Sequence, residues 1–296
     1  MGRKGPYAPA MPLPRLALAV IGDEIGPSLS EMLSFCTEND VRRLDMRTVD
    51  GRNLLGMTLE EVNAIARPLK DAGITVPTFV SPVLKWPAPG KAPAGGKVDF
   101  AFDPASCPTE DPLAHAFDVA MVLGATRIRV FSFLRYPGYR PADLAAPIDR
   151  LIDLAERFDV TVEMENEPVC NIGSLADLAD YFGSLAERSP YLRPLVDIGN
   201  SWSMGQPPSD AQIATLGPMV DLIHLKDRDF AARRIVPLGD GGVPWARELT
   251  RLLGHVRAPE VVASMETHCP QDGRNATARS VAALRRIAGE IGVTIV

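Results

Sequence analysis

Eight short apolar runs alternate with stretches of helical periodicity along almost the whole 296-residue chain, and that alternation leaves few folds open. The runs cover residues 16–21, 41–46, 74–80, 127–133, 160–165, 193–197, 220–225 and 261–266. Each is short and is bounded by turn-forming or charged residues, as buried strands are. The stretches between them start and stop like helices. Thr58-Leu-Glu-Glu61 and Ser174-Leu-Ala-Asp177 set a hydroxyl at the N-cap and an acid three residues on. Val62, Ile65, Ala66 and Leu69 then share one helical face, and Gly124 closes a helix predicted over 112–123. Further helices are expected over 27–38, 142–158, 245–253 and 272–291.

Strands that alternate with helices build a parallel sheet, because each crossover returns the chain to the same end. Eight such units in 296 residues match a closed (β/α)8 barrel. An open doubly wound sheet is the competitor, and it would carry a Gly-rich phosphate turn after an early strand. Gly22-Asp-Glu-Ile-Gly26 has the wrong spacing and is acidic where phosphates would sit. The expected architecture is therefore α/β, a single TIM barrel over residues 15–296, preceded by a flexible tail over 1–14. A long Pro- and Gly-rich loop follows strand 3, over 81–107. Loops of that length flank active sites as mobile lids or are insertions without a role.

A net charge of -6 and a pI near 5.3 give no electrostatic footprint for nucleic acid. The four cysteines, Cys36, Cys107, Cys170 and Cys269, form no CxxC pair, so reduced thiols in a cytoplasmic protein are expected. Residues 1–14 hold prolines where a signal peptide needs its apolar centre, and no apolar run approaches 18 residues. Neither nucleic acid nor a membrane is an expected partner; assembly into a homo-oligomer is left open.

Four consecutive runs end on a ligand for a hard metal: Glu165, Asp197, His224 and Glu266. In a parallel barrel the strand C-termini carry the chemistry, and side chains alternate inward and outward along each strand. If Glu165 points into the mouth, Glu163 lies beneath it, as Leu195, Leu222 and Ser264 lie beneath the other three. Three carboxylates and an imidazole around one point repel without a cation. The oxygen-rich set favours Mn²⁺, then Mg²⁺, Co²⁺ or Zn²⁺. Helix capping is the bland alternative, open to Asp197 but poorly suited to Glu165 and Glu266. Lys226 shares the strand parity of His224 and would reach a substrate oxygen just above the ring. His268 shares the parity of Glu266 and is placed in the pocket. Trp202 offers an apolar wall for a substrate face, and Lys85 with Trp86 opens the long loop, where both would close over substrate. His115 and His255, near helix ends, read as structural, and nothing beside Cys170 or Cys269 suggests an activated thiolate. Asp45, Arg129 and Glu163 sit at inward positions, and Arg129 is expected to pair with Glu163.

Glu165-Asn-Glu-Pro168, Asp197-Ile-Gly-Asn200, His224-Leu-Lys-Asp227, Gly239-Asp-Gly-Gly-Val-Pro-Trp245 and Glu266-Thr-His268 resemble the successive motifs of the xylose-isomerase-like sugar (phosphate) isomerase/epimerase superfamily. Ser81-Pro82 with Lys85, and Arg129-Val-Phe-Ser132, resemble its third- and fourth-strand motifs. The resemblance spans nearly the whole chain beyond residue 14. It implies that Glu165, Asp197, His224 and Glu266 bind the metal and that Glu165 and Glu266 move the proton. Asn200 stands where many ketose epimerases carry a histidine, so it can bind a hydroxyl but supply no proton. The resemblance implies a small-molecule carbohydrate as partner and, as function, a divalent-metal-dependent isomerase or epimerase of a small sugar or sugar derivative, acting through C–H proton abstraction to a metal-stabilised enediolate by Glu165 and Glu266. A lyase or dehydratase acting on a keto-sugar or cyclitol shares that first step. An apurinic endonuclease, whose trinuclear zinc site needs many histidines, fits poorly with four of them. A non-catalytic sugar-binding protein would not need four intact ligands.

Overall fold

The computed structural model describes residues 13–95, 102–185 and 189–296. Its eight barrel strands are β1 (Arg15–Ile21), β2 (Leu44–Asp45), β3 (Thr78–Phe79), β4 (Arg127–Val130), β5 (Thr161–Glu165), β6 (Leu192–Asp197), β7 (Leu222–Leu225) and β8 (Glu260–Met265). They form one eight-stranded sheet in the order β2-β1-β8-β7-β6-β5-β4-β3, and the paired neighbours are parallel. Parallel bridges Arg43↔Thr75 and Met46↔Phe79 join the two edges, so the sheet closes on itself as the alternation predicts.

Several strands are shorter than their apolar runs. β3 is cut to Thr78–Phe79 because Pro77 has no N–H to give the ladder; its carbonyl still accepts from Thr126 N at 3.3 Å. Beyond β4 the chain turns aside, with Phe133 in the left-handed region at φ 59°. β8 ends one residue before Glu266, whose N–H nevertheless continues the pairing by donating to Leu225 O at 3.0 Å.

The helices wrap the sheet where their caps and apolar faces direct them. Ser28, Thr58 and Ser174 each close a capping box, at the heads of α1 (Leu29–Asn39), α2 (Leu59–Asp71) and α5 (Leu175–Ser184). α2 buries Val62, Ile65 and Leu69, each contributing about 1.5–3 kcal/mol by leaving water. α3 (Pro112–Leu123) ends at Gly124, whose φ of 71° suits a residue without Cβ. α4 (Ala145–Phe158), α8 (Trp245–Leu253) and α9 (Gly273–Glu290) complete the expected set. Two short helices, α6 (Ile198–Ser203) and α7 (Asp210–Leu216), fill the connection after β6.

Inside the barrel, Ala17, Ala19, Leu195, Leu222 and Val262 form a separate apolar cluster, and Leu195 and Leu222 lie beneath Asp197 and His224 as strand parity requires. The 81–107 loop is packed at both ends, with Val83, Leu84 and Trp86 buried and the Trp86 ring 6.1 Å from Phe102. The middle of the expected lid, 96–101, and the tail up to residue 12 lie outside the described residues.

Candidate metal centre

The C-terminal end of the barrel brings four side chains together. Asp197 and His224 stand side by side across β6 and β7, and Ser264 stands beside His224 one inward step below Glu266. Glu165, at the end of β5, pairs in register with Leu195, one step below Asp197. One ligand atom from each of Glu165, Asp197, His224 and Glu266 falls within 4.8 Å of the others, and all four residues are buried. These are the four strand ends singled out in the sequence.

Asp197, Glu165 and Glu266 each have a further contact beside the ring. Asp197 Oδ1 accepts the Asn200 N–H at 2.7 Å, so this carboxylate caps α6 with one oxygen and offers the ring the other. Asn166 grips the backbone of the same residue in both directions, its Nδ2 donating to Asp197 O and its Oδ1 accepting from Asp197 N, both at 2.9 Å. Asn200 Nδ2 donates to Asn166 O at 2.8 Å and stands 3.5 Å from Glu165 Oε1. Arg129, 1% exposed, places Nη1 3.2 Å from Glu165 Oε2 and 3.6 Å from Glu266 Oε1. The expected Arg129–Glu163 pair is therefore not formed. The two residues are neighbours in register, but the long Arg129 side chain leans toward the strand ends; the cation nearest Glu163 is Arg127, with Nε 3.8 Å from Oε1.

The charges at the ring offset one another. Burial raises the Glu165 carboxyl, but His224 and Arg129 outweigh it together with repulsion from Glu266 and hold it at about 2. Burial opposes the charged imidazole of His224, and the Glu165 and Glu266 carboxylates overcome that and raise it to about 9. Asp197 is pushed up to about 6 by burial against the pull of Lys226. Lys226 Nζ stands 2.9 Å from Asp197 Oδ2 and 2.6 Å from Glu266 Oε2.

A second group adjoins Glu266. His268 Nε2 lies 3.5 Å from Glu266 Oε1, and its Nδ1 is 2.8 Å from Glu24 Oε1. Glu24 Oε2 also accepts the His268 backbone N–H at 2.6 Å, pinning a residue whose φ of 52° is costly for a side chain with Cβ. Arg47 bridges the group, with Nη2 2.7 Å from Glu24 Oε1 and Nη1 3.3 Å from Glu266 Oε1. Cavities of about 750 and 770 Å³ meet at His268. Sequence reasoning passed over Arg47 and Glu24. The strand-end rule would have found both with a wider window, because Glu24 closes the short 3-10 turn after β1 and Arg47 lies two residues beyond β2.

The donor set suits a divalent cation. Both ring nitrogens of His224 are buried without a hydrogen-bond partner; Nδ1 is 3.3 Å from Glu165 Oε1 and Glu266 Oε2, yet neither contact has hydrogen-bond geometry. Asp197 Oδ2 and Glu266 Oε2 likewise lack hydrogen bonds despite their ion pairs with Lys226. Buried polar atoms left in this condition are rare, and oxygens with one imidazole nitrogen form an ordinary coordination set for Mn²⁺, Mg²⁺, Co²⁺ or Zn²⁺.

The remaining expected residues divide. Lys226, His268 and Asn200 border the ring. Trp202 is half-buried, stacks on Phe230 with centroids 5.9 Å apart, and keeps an unbonded Nε1. Lys85 pairs with Glu167 Oε2 at 3.3 Å and lies 4.7 Å over the Phe131 ring, whose face Arg129 also approaches. His115 is buried, with Nε2 2.9 Å from Met57 O, in keeping with a structural role.

Comparison with known proteins bears on the fold. No curated protein matches the chain by sequence. The IOLI protein, solved with a bound zinc atom, is 14% identical at a TM-score of 0.69, over 93% of this chain and 99% of the other. An L-ribulose 3-epimerase is 12% identical at 0.67, over 93% and 95%. The probable 3-DHS dehydratase AsbF from Bacillus anthracis is 17% identical at 0.64, over 92% and 98%. At these identities the likeness is one of fold. No helix among the described residues is long and apolar enough to cross a membrane. The model of one family, described as the xylose isomerase-like TIM barrel, matches residues 39–287, and the chain belongs to that family.

Proposed function

We propose that the protein is a divalent-metal-dependent isomerase or epimerase of a small sugar or sugar derivative, with Glu165 and Glu266 as the proton-moving pair. The observation that carries this reading is the ring itself: four buried residues with ligand atoms within 4.8 Å of one another, three of them carboxylates. A divalent cation held by Glu165, Asp197, His224 and Glu266, with Mn²⁺ preferred, would polarise a substrate carbonyl and acidify the neighbouring C–H. The protein supplies the rest. One glutamate takes the carbon-bound proton, and the other returns one to a different face or carbon. Arg129 contacts both carboxylates; with His224 it keeps Glu165 ionised, while Lys226, His268 and His224 keep Glu266 so. Asn200 and Lys226 present donors at the rim for substrate oxygens, and Trp202 offers a flat apolar wall on which a sugar face can pack.

One observation favours a second reading, a lyase or dehydratase of a keto-sugar or cyclitol. His268 beside Glu266 is a third group able to carry a proton, and burial is outweighed there by Glu266 and Glu24, which raise its pKa. A charged imidazole could protonate a departing hydroxyl.

Metal analysis of the purified protein, followed by deuterium uptake from solvent into a panel of ketoses, keto-glycosides and inositol derivatives, tests both. About one divalent ion per chain and exchange into one substrate without loss of water are expected for the isomerase. Loss of water from the same substrate selects the lyase. Metal-free protein that exchanges at full rate refutes both readings.

A further inference from the structure

We propose, resting on the metal-dependent reading above, that the Lys226 ammonium and the divalent cation are alternative holders of the same two carboxylate oxygens, so that metal uptake displaces Lys226. The oxygens are Asp197 Oδ2, 2.9 Å from Nζ, and Glu266 Oε2, 2.6 Å from it. Neither carboxylate has a spare oxygen to offer in exchange. Asp197 Oδ1 is held by the Asn200 N–H at 2.7 Å. Glu266 Oε1 faces Arg47 at 3.3 Å, His268 at 3.5 Å and Arg129 at 3.6 Å. A divalent ion bound to carboxylate oxygens sits about 2.0–2.2 Å from them. That places it within a few ångströms of an ammonium bound to the same atoms, where two like charges out of water repel strongly.

The lysine is guided to this position by the fold. Lys226 follows β7 two residues after His224, so both side chains point into the mouth. Its stem lies across Gly199 at the start of α6, where an added Cβ would come 2.7 Å from Lys226 Cγ and 2.9 Å from Lys226 O. Glycine leaves that channel open. The residue is 9% exposed, so the ammonium is an internal counter-ion that bulk salt screens poorly. It compensates buried carboxylates before the metal arrives. Once displaced, it is carried by the flexible stem to the rim, where a substrate oxygen is the next acceptor. Lys226 is thus a positioning residue for the ring and a metal competitor.

The test is Mn²⁺ binding to chelator-treated protein, read from the electron paramagnetic resonance signal of free Mn²⁺. Lys226→Met should bind Mn²⁺ at least tenfold more tightly than wild type. Lys226→Arg, which keeps the charge, should show no such gain. Without metal, Lys226→Met should melt below wild type, and Mn²⁺ should raise its melting temperature by more than it raises that of wild type. Lysine-selective ¹⁵N NMR of the wild-type protein gives a second reading, because Lys85 is also buried and paired and the signal of Lys226 is the one absent from Lys226→Met. That protected ammonium signal should lose its protection as Mg²⁺ is added. Equal or weaker Mn²⁺ binding by Lys226→Met, or a Lys226 ammonium signal unmoved by saturating Mg²⁺, overturns the competition while leaving the metal site in place. If neither wild type nor Lys226→Met takes up Mn²⁺ or Mg²⁺, the metal reading falls and the competition with it.

Discussion

Glu163 and Glu165 stand two residues apart on the same face of β5, equally buried, and their carboxyl groups are driven in opposite directions. Glu163 has no hydrogen bond to either oxygen, and burial together with Asp221 pushes it well above the usual carboxylate range against the pull of Arg127. Glu165 is held at about 2, because His224 and Arg129 overcome burial and the repulsion of Glu266. The difference lies in the neighbouring strands. Toward the N-terminal end of β5, Arg127 and Arg193 lie 3.4 and 3.1 Å from Asp221, leaving Glu163 with a partner at 3.8 Å. At the C-terminal end His224, Arg129, Lys226, Arg47 and His268 converge on two glutamates. Burial makes a carboxylate costly; the cations brought to it by other strands decide whether it stays ionised. One end of the barrel holds an acid, the other a pair of bases.

The largest expected effect separates the two ends by activity. Glu165→Gln and Glu266→Gln each remove one member of the proposed proton-moving pair, and turnover should fall by roughly 10²–10⁴ with substrate binding still measurable. Glu163→Gln replaces a carboxyl already disposed to keep its proton with a neutral group of the same shape, so turnover should stay within a few-fold of wild type. Steady-state rates on a substrate found in the exchange panel measure this. A comparable loss in Glu163→Gln would erase the distinction.

A smaller effect tests the cations. Arg129 is 1% exposed and shared by Glu165 and Glu266, so Arg129→Met leaves buried carboxylates less compensated and should cost about 3–5 kcal/mol by denaturant unfolding. Arg127 is 20% exposed, and Arg193 also reaches its partner Asp221, so Arg127→Met should cost nearer 1 kcal/mol. Equal losses would show that the two ends are held alike.

What could be read in advance, and what could not, follows the range of each interaction. Glu165, Asp197, His224 and Glu266 were legible because a strand's end and its parity are local properties, and the barrel rule places such ends together. The caps at Thr58 and Ser174 were legible for the same reason. The reach of Arg129 was not. Register puts it beside Glu163, but the direction of a long side chain depends on the charges beyond it. Arg47 and Glu24 were missed because they matter only once β1, β2 and β8 are known to be neighbours. The contact of Lys226 with Asp197 depends on Gly199, a residue on a helix too short and too polar to show in the sequence. Pro77 could have shortened β3 in advance, since its missing N–H is visible in the chain itself.

The smallest effect has opposite pH signatures at the two ends, with Glu24 as the probe at the mouth. Burial raises the Glu24 carboxyl, but Arg47 and His268 bring it down to about 2 from an ordinary value of 4.5. A depressed folded value means that the unfolded chain binds more protons between those limits. The stability tied to the Glu24 proton, on the order of 3 kcal/mol, is therefore complete above pH 4.5 and lost as pH falls toward 2. Glu24→Gln should be less stable than wild type around pH 5, with the gap closing below 4.5 and shrinking again at higher pH as His268 loses its proton. For Glu163 the sign reverses. Its raised value means the folded state binds the extra proton, so wild type loses stability as pH rises above 4.5. Glu163→Gln escapes that loss, and its advantage over wild type should widen as pH rises above 4.5, whereas the Glu24→Gln gap should not widen there. Urea midpoints for the three proteins across pH 3.5 to 8 measure both slopes. A Glu163→Gln gap that narrows with rising pH would mean that Glu163 is ionised and paired after all, and that the two ends of β5 are not opposites.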